Sequence, residues 1–211
     1  NFEQIKSWLT NCDTGHGSRC GSATKPPDLS PTWRFIDCQT RQLVDLPAGS
    51  EYFALSYVWG DTSVDEVDAT ELQSNKLPPR TAQVIEDSIV VVLKLQVRYL
   101  WVDKYCIHQW NTDEKHRQIQ NMNSIYEGAI ATIVAAAGDD ASYGLPGVNG
   151  KSRKKQPTAE LGCVSLISSL PQLPIVLAET KWATRGWTYQ EAILSKRCLF
   201  FTDYQVYFNC G

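Results

Sequence analysis

Three short segments of this chain are nearly continuous runs of apolar residues, at positions 52–58, 99–103 and 130–136. Each has the length of one strand, and a strand shows this pattern when both faces of its sheet are buried. Apolar residues recur at helical spacing between them, over 81–96 and again over 111–129. This alternation predicts right-handed crossovers and therefore an α/β fold, with a parallel sheet flanked by helices.

Further elements are predicted on both sides of this central part. In chain order they are a helix at 2–10, a Gly- and Pro-rich arm at 15–31, a hairpin at 33–46, a long loop or insertion at 138–174, a helix at 184–194 and strands at 197–202 and 205–209. We therefore divide the chain into an N-terminal helix and arm, residues 1–32, and one main domain, residues 33–211.

Composition excludes several classes of protein. The 211 residues are 43% hydrophobic, which is enough to build a core. Their net charge of −3 gives no general attraction to phosphates or anionic lipid. The longest apolar runs are too short to span a bilayer, and seven cysteines, an odd number, favour reduced thiols over a disulfide framework. We expect a cytoplasmic protein with neither nucleic acid nor membrane as partner.

Both ends of the chain indicate a piece of a longer protein. Residue 1 is Asn and the only methionine is Met122, so the initiator is missing. The last predicted strand stops at Gly211, the final residue. We expect the natural protein to continue beyond it.

Polar and aromatic side chains follow the first two predicted parallel strands. Ser56, Tyr57, Trp59 and Asp61 come at and after the end of the first, and Asp103 ends the second. Ligands of open parallel sheets bind beyond the carboxyl ends of the strands. Aromatic faces beside carboxylates suit a ligand that is part ring and part polyol. The alternative is that the aromatic residues belong to the core.

The segment Arg185-Gly-Trp-Thr-Tyr-Gln-Glu191 places Trp187 and Glu191 four residues apart on a predicted helix, so that they share a face. A carboxylate beside an aromatic plate can bind ribose hydroxyls or stabilise an oxocarbenium-like centre while the plate stacks on a base. This pair of residues alone is better explained by a buried tryptophan and a glutamate that is exposed or paired with arginine.

Five blocks together resemble the fungal heterokaryon incompatibility (HET) domain, in matching order and spacing across residues 33–210. The blocks are Ala54-Leu-Ser-Tyr-Val-Trp-Gly-Asp61, Leu100-Trp-Val-Asp-Lys-Tyr-Cys-Ile-His-Gln109, Gln118–Tyr126 with Ala129, Gly144-Leu-Pro-Gly147 and Arg185–Glu191. HET domains are implicated in self/non-self recognition and programmed cell death. They are remotely similar to TIR domains, so the resemblance implies a TIR-like, flavodoxin-like parallel sheet.

The resemblance also implies a chemistry. Many TIR domains cleave the nicotinamide–ribose bond of NAD with a glutamate in a W-x-x-x-E arrangement, which Trp187 and Glu191 match. It implies that Glu191 is catalytic, that NAD or a related nucleotide is the substrate, that no cofactor is required and that activity needs self-association. The substrate-binding residues implied are Ser56, Tyr57, Trp59, Asp61, Asp103, Arg185, Trp187 and Gln190.

Two features leave the function open. A TIR domain is shorter, and the arm, the hairpin and the insertion at 138–174 have no obvious counterpart in it. The alternative from another class is a non-catalytic signalling module that acts by self-association or by recruiting a partner.

Two cysteine groupings suggest other chemistry. Cys106 and His108, with Asp103, superficially resemble a thiol nucleophile and its base, but a cysteine at a strand end is more often a small buried hydrophobe. Cys12, His16 and Cys20 have a spacing that binds zinc if a fourth ligand, Cys38 or Cys210, joins them. Because they match no known finger pattern, we expect no bound metal.

Overall fold

The computed structural model of the chain describes residues 1–16, 20, 33–60, 75–109 and 111–211. The strands there are β1 Arg34–Asp37, β2 Gln42–Asp45, β3 Tyr52–Ser56, β4 Tyr99–Trp101, β5 Thr132–Ala135, β6 Thr158–Leu161, β7 Val164–Ile167, β8 Arg197–Phe201 and β9 Val206–Cys210. The helices there are α1 Phe2–Gly15, α2 Gln83–Lys94, α3 Asp103–Cys106, α4 Thr112–Gln120, α5 Met122–Gly128, α6 Leu173–Ala178 and α7 Gly186–Leu194, with a 3₁₀ turn at Trp182–Thr184.

The main sheet has seven strands in the order β2-β1-β4-β3-β5-β8-β9. Its centre, β4-β3-β5-β8, is parallel, and the strands outside it are antiparallel to their neighbours. The predicted α/β fold with a largely parallel sheet is therefore confirmed, and the three apolar runs lie side by side. The chain runs from β3 to β4 and then crosses back past β3 to β5, which creates a topological switch point at the carboxyl end of β3.

Alternating side chains of the central strands enter two core clusters. Ile133 of β5 and Leu199 of β8 join the larger cluster, to which α2 and α5 contribute. Val134 and Phe200, their neighbours in sequence, join a smaller cluster around Trp182, against which apolar residues of α6 and α7 pack. Helices therefore cover both faces of the sheet, as expected from strands without an exposed face.

The helices differ from prediction mainly at their ends. The single helix predicted over 111–129 is two helices, α4 and α5, because the side-chain amide of Asn121 bonds to the carbonyl of Arg117 at 2.8 Å and competes with the helical pattern. Helix α1 extends to Gly15, five residues beyond the predicted end. No helix in the described ranges is long and apolar enough to cross a membrane.

The predicted hairpin, β1–β2, is part of the main sheet because β1 pairs with β4. Two ion pairs fix its position. Arg98, just before β4, bonds to both carboxylate oxygens of Asp37 at 3.0 and 2.6 Å, and this interaction lowers the pKa of Asp37 to about 2. Arg41 in the hairpin turn makes a bidentate pair with Glu86 of α2, at 2.7 Å for both contacts. The hairpin thus extends the sheet beyond its parallel centre.

The segment predicted as a loop or insertion at 138–174 contains regular structure. It holds the hairpin β6–β7, all of whose strand residues are exposed, and α6 begins at its end. Its first part is fixed to α2 by the buried carboxylate of Asp87. This carboxylate accepts hydrogen bonds from the backbone N–H of Leu145 and the side chain of Asn149, both at 2.7 Å. The Gly144-Leu-Pro-Gly147 block is therefore an anchor of this segment.

We predict that Gly144→Ala destabilises the protein more than Gly49→Ala does. Both glycines have positive φ, +76° and +77°, so alanine costs about 1–2 kcal/mol of backbone strain at either position. At Gly144 the new Cβ would also lie 2.5 Å from Oδ2 of Asp87, which adds about 1–3 kcal/mol, whereas Gly49 has open space. Urea unfolding of both variants measures the difference, and equal losses of stability would contradict the anchoring role of Asp87.

Candidate active site at the carboxyl ends of the parallel strands

The last residue of β3, Ser56, binds a glutamate from the C-terminal helix of the fold. Its hydroxyl donates a hydrogen bond to the carboxylate of Glu191 on α7 and accepts one from the indole N–H of Trp182 at 2.8 Å. The hydroxyl of Tyr126 on α5 lies nearby, where it lowers the pKa of Glu191 and donates a long hydrogen bond of 3.5 Å to the carbonyl of Leu55 in β3. Ser56 and Trp182 are buried, and Glu191 is only 8% exposed. A carboxyl group is therefore held almost inside the protein at the switch point of the sheet.

Burial changes the acidity of this group. Desolvation, together with the nearby charge of Asp103, raises the pKa of Glu191 to about 7. The hydrogen bond from Ser56, the charge of Arg185 and the hydrogen bond with Tyr126 act in the opposite direction. Carboxyl groups with a pKa near neutrality are typical of functional sites, because both protonation states are then populated in the cell.

A second carboxyl group, Asp103, is the first residue of α3 and follows the end of β4 by two positions, instead of ending the strand itself. It accepts hydrogen bonds from the indole N–H of Trp59 at 2.9 Å and from the backbone N–H of Lys104 at 2.7 Å. Desolvation of the carboxyl raises the pKa of Asp103 to about 6, against these hydrogen bonds and the charges of Arg185 and Lys104. Two carboxyl groups with elevated pKa values thus lie beyond the carboxyl ends of neighbouring strands, and the charge of Asp103 raises the pKa of Glu191.

Arg185 is the cation that both carboxyl groups share. Its guanidinium donates a hydrogen bond to the carbonyl of Tyr57 at 2.6 Å, which holds the start of α7 against the end of β3. Its charge lowers the pKa of Glu191 and of Asp103. The side chain of Thr188 secures the same turn through hydrogen bonds to the carbonyls of Trp182 and Arg185, at 2.6 and 2.7 Å.

The outer side of Glu191 faces a cleft of about 310 Å³ between α7 and the helices α4 and α5. Trp187 and Gln190 share the α7 wall with Glu191, and Tyr126 and Met122 are among the residues opposite. Trp187 is 58% exposed, which is unusual for tryptophan on a folded domain. The cleft therefore combines an accessible aromatic face with the titratable carboxyl group of Glu191.

The structure brings most of the predicted site residues together. Ser56 binds Glu191, and Arg185 binds the carbonyl of Tyr57, the residue that follows Ser56. Trp59 binds Asp103. Tyr57 is buried in the core and Trp59 is half-buried, so the core interpretation describes the position of Tyr57. Trp187 and Gln190 line the cleft on the outer side. Asp61 lies outside the described residues.

Two residues of the site were missed in the sequence. Trp182 donates a hydrogen bond to Ser56, and Tyr126 lines the cleft with Glu191 and lowers its pKa, but neither is among the predicted site residues. Tyr126 lies in one of the HET-like blocks, which was a usable signal. Trp182 precedes the Arg185–Glu191 block by three residues, and no spacing shows that its indole reaches Ser56.

The thiol alternative has no support in the structure. Cys106 is fully buried, and its sulfur accepts a hydrogen bond from the backbone N–H of Val102 at 3.3 Å. Desolvation raises the pKa of Cys106 to about 12, so the nucleophilic thiolate is not populated near neutral pH. Cys106 is a small buried hydrophobe.

Comparison with known proteins defines the family. The family model "Heterokaryon incompatibility protein (HET)" matches residues 52–191, more than half of the chain, and this range contains all five blocks described above. The chain therefore belongs to the HET family, and the resemblance seen in the sequence is confirmed.

One relative is the "Heterokaryon incompatibility protein 6, OR allele" of Neurospora crassa, which is 31% identical over an alignment of 121 residues that covers 53% of this chain. The match covers only 17% of the length of that relative. No solved structure matches the chain.

We predict that Glu191→Gln removes a pH dependence of stability. The pKa of Glu191 is raised from 4.5 to about 7 on folding, so the folded protein binds this proton more tightly than the unfolded chain does. The resulting stabilisation is complete below pH about 4.5 and is lost as the pH rises through about 7. The variant carries no such proton. Its unfolding free energy, relative to wild type, should therefore rise across this window by up to about 3 kcal/mol.

Glu127→Gln is the control for this measurement, because Glu127 is exposed on α5. Its stability difference from wild type at pH 5 and at pH 8 gives the reference for an exposed glutamate. A difference for Glu191→Gln that changes no more than this reference would contradict the raised pKa of Glu191.

Proposed function

We propose that this chain is a cell-death effector domain of the heterokaryon incompatibility type that hydrolyses the nicotinamide–ribose bond of NAD or a related nucleotide. Membership of the HET family and the name of the Neurospora crassa relative support the incompatibility role. The observation that carries the enzymatic part is the carboxyl of Glu191, which has a pKa of about 7 and lines a cleft beside the exposed Trp187.

The topology supports a TIR-like relationship. Counted along the chain, the four parallel strands are β3, β4, β5 and β8, and they stand in the sheet as 2-1-3-4. This is the order of flavodoxin-like sheets, whose ligands bind at the switch point beside the first strand. Glu191 meets the end of that strand through Ser56. The hairpin β1–β2 and the strand β9 are then additions to a flavodoxin-like centre.

The chemistry needs one carboxylate and a stacking surface. When the bond from ribose C1′ to the pyridinium nitrogen of NAD breaks, its electron pair returns to the ring, which leaves as neutral nicotinamide. The positive charge that develops on the ribose is stabilised by the ionised carboxylate of Glu191. Water then adds to C1′ and loses a proton. Because the leaving group departs neutral, no general acid is required.

The other residues have supporting roles in this proposal. Trp187 offers a face for a base or for nicotinamide, and Gln190 lies beside it on the same wall. Ser56 orients the carboxylate of Glu191, while Asp103 and Arg185 fix polar groups of the nucleotide. Trp59 holds Asp103 through its indole N–H.

The purified chain, assayed at high concentration so that self-associated forms are included, should release nicotinamide and ADP-ribose from NAD. Glu191→Gln should reduce this rate at least about 100-fold, because the developing charge loses its counter-charge. The matched control Glu127→Gln should keep the rate of wild type. Chromatography of the products measures both, and a rate for Glu191→Gln equal to that of wild type would place the chemistry elsewhere.

The pH profile should identify the active protonation state. Because only ionised Glu191 stabilises the ribosyl cation, kcat/KM should rise with pH and level off above about 7. Ser56→Ala removes a hydrogen bond that lowers the pKa of Glu191, so the midpoint of its profile should move to higher pH. A profile that is flat from pH 5 to 8 in wild type would contradict the role of Glu191 as the stabilising carboxylate.

The second candidate is a non-catalytic signalling module that acts by self-association or by recruiting a partner. The exposed apolar residues of the hairpin β6–β7 favour it: Leu161, Val164, Leu166 and Ile167 are between 49% and 65% exposed. Apolar side chains clustered on a surface mark interaction sites more often than isolated ones do. Under this candidate, Glu191→Gln keeps its cell-death activity in fungal cells, whereas charged substitutions in the hairpin abolish it.

A further inference from the structure

Four metal-binding side chains meet where the N-terminal helix reaches the last strand. The ligand atoms of Cys12, His16, Cys20 and Cys210 all lie within 4.8 Å of one another. Nδ1 of His16 is 3.6 Å from Sγ of Cys12 and 3.4 Å from Sγ of Cys210. We propose that these residues bind one zinc ion as a structural Cys₃His site that joins the two ends of the domain.

The distances fit a zinc tetrahedron. Zinc bonds of about 2.3 Å to sulfur and about 2.0–2.1 Å to nitrogen separate a sulfur and a nitrogen ligand by about 3.5 Å, and two sulfurs by about 3.8 Å. The two sulfur–nitrogen distances to His16 agree with the first value. All four ligand atoms lie within 4.8 Å of one another, so even the longest separation needs to shorten by only about 1 Å to match the sulfur–sulfur distance of a zinc site.

Local structure delivers each ligand. Cys12 and His16 are four residues apart at the end of α1, so their side chains share one face, and the N–H of His16 bonds to the carbonyl of Cys12 at 3.1 Å. Cys20 follows four residues later and places its sulfur 3.3 Å from the carbonyl of Gly211. Cys210 is the last residue of β9. Of the two candidates for the fourth ligand, Cys210 lies in the cluster, whereas Cys38 lies in another part of the fold.

Zinc explains this cluster better than a disulfide or ordinary packing does. A disulfide would use two of the three thiols and leave the third beside the imidazole, and the cysteines here are all free. In ordinary packing Nδ1 of His16 would have to serve two thiols with one lone pair or, in the other tautomer, with one N–H. Three thiolates and one imidazole in a tetrahedron are a donor set typical of zinc, and four protein ligands with no open position are typical of a structural site.

The site would hold α1 on the edge strand of the sheet. Trp8 of α1 stacks on Phe208 of β9, with ring centroids 6.0 Å apart. Asp13 of α1 pairs at 2.6 Å with the buried guanidinium of Arg197, the residue opposite Cys210 in the sheet. A metal bond between α1 and β9 adds to these contacts and covers an edge that would otherwise be open to pairing with other chains. This role is independent of the proposed NAD chemistry. Cys210 pairs with the first residue of β8, at the amino ends of the parallel strands, whereas Glu191 lies at their carboxyl ends.

The test uses the full chain, purified without added metal and without chelator. We expect about one zinc per chain by mass spectrometry of the metal, and a loss in melting temperature of more than about 5 °C on chelation. Cys210→Ser should lose the zinc and the chelator effect. Cys163→Ser, which alters an exposed thiol in the turn between β6 and β7, is the matched control and should keep both.

Cobalt gives a second measurement that needs no variant. Wild-type protein from which the metal has been removed should take up Co²⁺ and show the intense visible bands of tetrahedral cobalt together with thiolate-to-cobalt charge transfer. Zinc below about a tenth of an equivalent, with a weak octahedral cobalt spectrum, would overturn the proposal. A disulfide among Cys12, Cys20 and Cys210 in the native protein, or full zinc retention by Cys210→Ser, would overturn it as well.

Discussion

The hydrogen bond from Ser56 to the buried carboxyl of Glu191 requires the C-terminal helix α7 to pack against the end of the central strand β3. A buried carboxylate without partners costs several kcal/mol, more than one hydrogen bond of about 0.5–1.5 kcal/mol restores. The protein supplies the hydroxyl of Ser56, with the indole of Trp182 behind it, and the charge of Arg185, and the pKa of Glu191 still remains near 7. The turn at Trp182–Thr184 and the start of α7 must therefore lie against the end of β3.

The parallel centre of the sheet could be predicted because it rests on a local property of the sequence. Strands buried on both faces must be apolar at every position, so β3, β4 and β5 were visible as runs, and the helical periods between them implied the crossovers. The ends of elements were less visible. The break between α4 and α5 depends on one side-chain amide, that of Asn121, which has no periodic signature.

The candidate site was predictable only in part, for a physical reason. Ser56, Asp103 and Glu191 follow strands or share a face with an aromatic residue, and such positions can be read from spacing. Contacts between distant parts of the chain cannot be predicted from spacing. Trp182 reaches Ser56 across 126 positions, and Cys210 reaches His16 across 194. In both cases sheet topology brings the partners together, because β9 returns antiparallel to β8 and α7 crosses the ends of the central strands.

The proposed chemistry depends most on the protonation of Glu191, which can be measured directly. In protein labelled with ¹³C at glutamate side chains, the carboxyl resonance of Glu191 is identified as the signal that disappears in Glu191→Gln. Its chemical shift should titrate with a midpoint of about 7. A midpoint close to the ordinary value for glutamate, about 4.3, would show that the carboxyl is solvated and would contradict both the buried contact with Ser56 and the chemistry proposed for this site.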